Sequence, residues 1–314
     1  MQIVIIKKQN DMDLSGRRES TNVEDRRGQS SGGSILGGSI LGGLGGGKSK
    51  FGCGSIIVIG IIVLLLGGNP MDLLQQLAGG GIGGLVPTET STNYQDSPEN
   101  EELATFTKQV LASTEDVWSR QFEAMGLTYN PPTLVLYTGS IQTGCGQGSA
   151  SSGPFYCSAD QKVYIDLSFY KEMKTSLGAE GDFAWAYVIA HEVGHHVQNE
   201  LGYLGKAHQK MAQLSQTEAN KVSVQIELQA DFLAGVWGHD EQMLFKSLEK
   251  GDLEEALSTA QVIGDDYLQK RAGYNDSRQY THGTSAQRER WFKKGFTTGD
   301  LNQGNTFNTD SSRL

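Results

Sequence analysis

Positive charge is what this sequence most conspicuously lacks. Its 314 residues carry 26 Lys and Arg against 36 Asp and Glu, a formal net charge of −10. Charge of that sign repels phosphates, which argues against a general nucleic-acid role. The deficit is uneven. Residues 1–66 hold eight Lys/Arg and five acids, a balance of +3 that leaves −13 for the remainder, and no Lys or Arg occurs between Lys50 and Lys108. Cysteine is also scarce: Cys53, Cys145 and Cys157 are the whole complement, so at most one internal disulfide can form.

Charge of either sign is missing from residues 51–68, FGCGSIIVIGIIVLLLGG. That length is about the lower limit for a spanning helix at ~1.5 Å per residue. Residues 56–66 lack the polar face of a core helix, and too much sequence precedes the run for a signal peptide. A transmembrane helix is therefore predicted at 51–68. All eight basic residues of the first 66 precede it. The positive-inside rule then gives a single-pass cell-membrane protein, N-terminus cytoplasmic and residues 70–314 periplasmic or extracellular. In an exported domain Cys145 and Cys157 are expected to pair, and closing a loop of that size contributes about 3 kcal/mol in the chain-entropy model.

GGLGGGKS at 42–49 fits the phosphate-binding-loop pattern, but the context that makes such a loop work is absent. A buried strand should precede it and a helix follow; here the preceding GGSILGGSILGG is too glycine-rich for a core strand. No nucleotide is expected.

Five segments follow from composition. Residues 1–50 read as a polar and glycine-rich disordered cytoplasmic stretch, 51–68 as the span, 69–96 as a flexible linker, 97–300 as the folded domain, and 301–314 as a disordered tail. Within the domain, Ser97 as N-cap, Pro98 and an acidic first turn predict a helix over 98–125. TLVLYTG (133–139) and KVYIDLS (162–168) read as strands, and four further helices follow, beginning with GDFAWAYVIAHEVGHHVQNELG.

That helix contains HEVGH, the H-E-x-x-H pattern. Four residues apart on a helix, His191 and His195 project about 40° apart and can share one Zn²⁺, while Glu192 can reach a water without being a ligand. The apolar FAWAYVIA before the motif makes the helix a buried one, so the polar groups at its end need partners. His196 points to another face and reads as a structural hydrogen-bonder. A catalytic zinc usually has three protein ligands. His208, His239 and His282 are candidates for the third, but Glu227, in the apolar VSVQIELQADFLAGVW, is the better one, since a buried glutamate is costly without a cation. Asp231, one turn on, is placed to hydrogen-bond the outer nitrogen of a ligating histidine.

HEVGH followed by ELQAD resembles the zincins whose metal site is completed by a downstream glutamate. More narrowly, the chain resembles the bacterial neutral zinc metallopeptidase family across GRRESTNVEDRRG (16–28), the glycine-rich tract and apolar run, VYIDLSFY, AHEVGHHVQ, ELQADFLAGVW and THGTSAQRERWF. That family's N-terminal motif starts close to the initiator, so translation is expected to begin at Met12. THGTSAQR resembles the His-Pro segment of related zincins, with Gly283 where Pro would stand; this implies that His282 donates to the developing oxyanion, and Tyr187 and Tyr203 are weaker candidates. Alternatively, Thr284 or Ser285 simply caps the helix bearing Arg288.

The expected whole is an α+β, mostly helical, zincin-like domain with a small antiparallel sheet. One Zn²⁺ per chain sits on His191, His195 and Glu227, with Asp231 behind them and Glu192 as general base, acting on a peptide or protein substrate. KVYIDLS is expected to offer the substrate a strand edge. The alternative is a non-catalytic, membrane-anchored protein with a structural zinc, its fourth ligand supplied by His196 or His208.

Overall fold

The computed structural model describes residues 12–29, 97–309 and 314. The first helix, α1 (Pro98–Ala124), begins where its residues dictate: the Ser97 hydroxyl accepts from the Asn100 amide, Pro98 needs no amide partner there, and Glu99 and Glu101 face the positive end of the helix dipole. Among the described residues there are six strands: β1 (Val23–Asp25), β2 (Thr133–Tyr137), β3 (Ser140–Thr143), β4 (Gly146–Ser149), β5 (Phe155–Cys157) and β6 (Lys162–Asp166). Four of them build one sheet in the order β1-β2-β6-β5, and β3 and β4 form a separate antiparallel hairpin.

The class is α+β, but the larger sheet is mixed. β1, β2 and β6 run parallel and only β5 is antiparallel to its neighbour. A parallel pair needs a long crossover, which residues 138–161 provide. β6 is thereby enclosed between β2 and β5, so KVYIDLS is not the open edge expected of it; β5 is.

The remaining helices are α2 (Ser168–Glu172), α3 (Asp182–Glu200), α4 (Tyr203–Met211), α5 (Gln216–Phe245), α6 (Asp252–Val262), α7 (Asp265–Arg271) and α8 (Ser285–Thr298). α3 and α5 are buried along most of their length, as helices apolar nearly all round must be. Their crossings are set by glycines. A Cβ on Gly194 would lie 3.0 Å from the Ala230 carbonyl oxygen, so α3 meets α5 there with backbone almost touching backbone. α8 lies closer still: a Cβ on Gly235 would fall 2.1 Å from the Phe292 carbonyl oxygen, and one on Gly295 2.0 Å from that of Phe232. Gly235→Ala must push α8 away, because rigid backbone is what it strikes. A loss of about 3 kcal/mol is expected, at the upper end of overpacking costs; urea unfolding checks it, and an unchanged midpoint would show that the crossing is looser than it looks.

Two stretches expected to lie outside the domain pack on it. Residues 301–303 and 306–308 form single 3₁₀ turns, with Thr306 fully buried and its hydroxyl donating to the Gln225 carbonyl. Residues 12–29 contribute β1 and bury Met12 and Leu14.

The second placement corrects the membrane reading. The run 51–68 and the look-alike loop at 42–49 lie outside the described residues, and among the described residues no helix is long and apolar enough to cross a membrane. The transmembrane helix, the membrane as a partner and the single-pass location with a cytoplasmic N-terminus are therefore withdrawn. The physical fault lies in the charge count. The positive-inside count puts Arg17, Arg18 and Arg27 on the far side of a bilayer from residue 70 onward. Instead they pair with Glu241 at 2.9 Å, Glu115 at 2.8 Å and Glu101 at 2.7 Å, all within the domain. An arginine inside an ion-pair network carries no topological signal.

Candidate metal centre

The glycine at position 194 sits between His191 and His195 on α3, and Ala230 sits between Glu227 and Asp231 on α5. Their contact at the crossing therefore sets one pair of side chains directly against the other. His191 Nε2 lies 3.2 Å from Glu227 Oε2, and His195 Nε2 lies 3.5 Å from Glu227 Oε1. One ligand atom from each of the three lies within 4.8 Å of the others. The Glu227 side chain is 4% exposed and that of His195 13%, so the group opens to solvent on the His195 side.

The outer ring nitrogens decide what the inner ones present. Asp231, fully buried, accepts from His191 Nδ1 at 2.8 Å, from the Tyr187 hydroxyl at 2.6 Å, and from Arg288 Nε and Nη2, both at 2.9 Å. Burial opposes its charge, but Arg288 and then His191 hold its pKa down at about 2. A carboxylate can only accept, so His191 carries its proton on Nδ1 and turns a lone pair toward Glu227. For His195 the same job falls to Gln198. Its amide nitrogen donates to the Ile226 carbonyl at 2.7 Å and to Gln229 Oε1 at 3.1 Å, which leaves its oxygen to accept from His195 Nδ1 at 2.9 Å.

Two nitrogen lone pairs and a carboxylate thus converge in a buried place. Acceptors facing acceptors are unstable unless a cation stands between them. Two imidazoles and one carboxylate are a donor set that suits zinc, so these residues fit the metal. In the metal-free protein a proton takes over part of that role. Burial pushes His191 down, yet Asp231 and Glu227 carry it up to about 10. His195 is likewise raised against its burial by Glu227. Glu227, which burial would raise, is held well below the usual carboxylate range by His195 and His191.

Glu192 is buried beside the three without joining them. Burial raises its carboxyl, the two histidines oppose this, and the Tyr156 amide donates to it. The free edge of β5 therefore runs alongside Glu192. β5 is also where the Cys145–Cys157 disulfide forms, tying the β3–β4 hairpin to the edge strand.

His282 is held by a loop wrapped around one carboxylate. Asp265 Oδ2 accepts the amides of Thr281 at 2.7 Å, His282 at 2.6 Å and Gly283 at 2.9 Å, while Oδ1 lies 3.2 Å from His282 Nδ1. Gly283, at φ +94°, lets this loop press against Val224 and Leu228 on the α5 surface beside Glu227. His282 makes no hydrogen bond to the three converging residues, though its charge helps to hold Glu227 down. Thr284 does cap α8, through a capping box with Gln287.

The other histidines have separate employment. His196 donates from Nε2 to the Asn130 carbonyl at 2.6 Å and accepts from the Tyr156 hydroxyl at Nδ1, 3.1 Å away. His239 donates to the Phe296 carbonyl at 2.8 Å. His208 lies on α4, part-buried and outside the group. Tyr187 faces Asp231, and Tyr203 stacks on Phe307. Three residues escaped sequence reasoning: Arg288, Gln198 and Asp265. Only Gln198 had a local signal, three residues after His195 on the same helix face.

A sequence model of the family described as "Putative neutral zinc metallopeptidase" matches residues 12–307. "Uncharacterized protein YpfJ" of Escherichia coli (strain K12) is 51% identical over 297 residues, covering 94% of this chain and 99% of that protein. "Uncharacterized protein Rv2575" of Mycobacterium tuberculosis (strain ATCC 25618 / H37Rv) is 40% identical over 190 residues, covering 57% of this chain and 63% of its own length. No solved structure matches.

Proposed function

The chain belongs to the neutral zinc metallopeptidase family, and from that premise we propose that it hydrolyses peptide bonds with one Zn²⁺ per chain held by His191, His195 and Glu227. The observation that carries this reading is the convergence of two lone-pair nitrogens and a carboxylate, each nitrogen's tautomer being fixed from behind by Asp231 or Gln198. Zinc held there supplies Lewis acidity toward a carbonyl and toward water.

The rest falls to the protein. Glu192, with a carboxyl raised by burial, takes the proton of the attacking water and passes it to the leaving amine. His282, fixed through Nδ1 by Asp265, has Nε2 free to donate to the oxyanion as the carbonyl becomes tetrahedral. Asp265 can only accept, so Nδ1 keeps a proton and donation from Nε2 requires the doubly protonated ring. An extended peptide pairing with the outer edge of β5 passes Glu192 on the way. A closed structural zinc site is less well supported, because it needs a fourth protein ligand and His196 has both ring nitrogens engaged elsewhere.

Metal analysis of the full chain beside Glu227→Ala is the test. The parent should hold close to one zinc per chain, and the variant's affinity should fall at least about a hundredfold, as expected when one of three ligands goes. Full zinc in the variant would remove Glu227 from the site; none in the reconstituted parent would end the metal reading altogether.

A further inference from the structure

We propose that the face made by α1, the C-terminal end of α5 and the outer edge of β2 is a docking site for an extended peptide, and that the chain's own residues 12–29 occupy it as a separable strand. This is independent of the metal reading.

Two buried carboxylates carry the inference. Glu115, on α1, is 5% exposed, and its hydrogen-bonding and ionic partners are Ser20 Oγ at 2.5 Å, Asn22 Nδ2 at 2.8 Å and Arg18 Nη1 at 2.8 Å. All three belong to the 12–29 segment. Glu241, near the end of α5, is fully buried, and among the described residues Arg17, at 2.9 Å, is its only cation. Its other partners are the neutral hydroxyls of Ser113 and Ser247. A buried carboxylate stripped of its cation is strongly unfavourable. The domain from residue 97 onward thus contains two buried carboxylates whose cations, among the described residues, come from this segment alone.

The main chain is recognised as well as the side chains. Val23, Glu24 and Asp25 lie in parallel register with Leu134, Val135 and Leu136. The amide of Asp13 donates to the Ser247 carbonyl at 2.6 Å, that of Ser20 to Lys108 at 3.0 Å, and that of Arg26 to Leu136 at 2.8 Å. The Arg17 guanidinium lies over the Phe245 ring, 3.7 Å from its centroid. Backbone pairing along a sheet edge with side-chain pockets for specificity is how strand-addition sites read a peptide. The peptide read here is Arg-Arg-x-Ser-x-Asn, at residues 17–22.

Residues 30–96 are the sole covalent link from this strand to Ser97. A strand of the same chain binds intramolecularly, at an effective concentration that a second copy in dilute solution does not reach. The occupant is therefore the same chain's segment. It also follows that truncation at residue 97 does not yield a self-sufficient domain.

The experiment inserts a protease site into the glycine-rich stretch at 42–47 of the full chain and cleaves it. The fragment bearing residues 12–29 should stay bound one-to-one in gel filtration and native mass spectrometry, and should exchange with a labelled synthetic 12–29 peptide. The R17A/R18A peptide should compete at least about a hundredfold less well, the scale of a lost buried ion pair; since only the peptide is changed, folding of the variant is not at issue. Release of the fragment with no drop in the melting temperature of the remainder would overturn the proposal. So would equal competition by the two peptides, or recovery of two-copy assemblies with exchanged segments.

Discussion

Glu192→Gln is expected to bind zinc as tightly as the parent and to lose about 10²–10⁴-fold in kcat/KM on peptide substrates, the usual share of a general base. The substitution keeps shape and hydrogen-bonding reach, so the Tyr156 amide still finds an acceptor. What it removes is the ability to take a proton. Glu192 is not among the three residues whose ligand atoms converge, so metal content should not move. The loss should fall on kcat, since a base acting in the transition state contributes little to substrate binding. Zinc content and steady-state kinetics on a mixed peptide library measure both. Undiminished hydrolysis by a zinc-loaded variant would take Glu192 out of the mechanism, and loss of zinc would make it a ligand.

How much of this could be read beforehand depended on the range over which each feature is encoded. The helix at 98–124 and its Ser97 cap, the four-residue spacing of His191 and His195, and that of Glu227 and Asp231 are local, and a helical period displays them. The need of Glu227 for partners was legible because a buried carboxylate between Ile226 and Leu228 has no inexpensive explanation, and the structure sets it against His191 and His195. The pairing of Cys145 with Cys157 was also reached, though through a membrane topology that fails, so the agreement does not vouch for the reasoning.

What was illegible is tertiary. Arg288 meets Asp231 across 57 residues of sequence, and Ser20 meets Glu115 across 95. No window holds both members, and an arginine without a visible partner looks like surface or flank. β6 failed for a different reason. Val163, Tyr164 and Ile165 are consecutive and all buried, the continuous apolar run of a strand covered on both faces. That signal was present, and the expectation of an open strand edge passed over it.

Arg288→Met should be the most destabilising single change at the site, costing about 3–5 kcal/mol as the breaking of a buried ion pair does. The guanidinium meets both Asp231 oxygens and is itself almost wholly enclosed. Methionine fills comparable space with no charge, which leaves Asp231 with His191 and the Tyr187 hydroxyl alone. The pH dependence has a definite sign. The folded-state pKa of Asp231 is depressed to about 2, so the stability it contributes is present above its unfolded value and is lost as pH falls through about 2. The gap between parent and variant in urea unfolding should therefore be widest at neutral pH and narrow on acidification. Zinc affinity should fall about 10–100-fold, because Asp231, no longer anchored by Arg288, holds the His191 ring less firmly in orientation. The double variant with Asp231→Asn separates the two effects: removing both charges should return much of the stability, while zinc affinity stays low because the carboxylate behind His191 is gone. Recovery of both together would mean that Arg288 and Asp231 serve packing alone, and that His191 needs no support from behind.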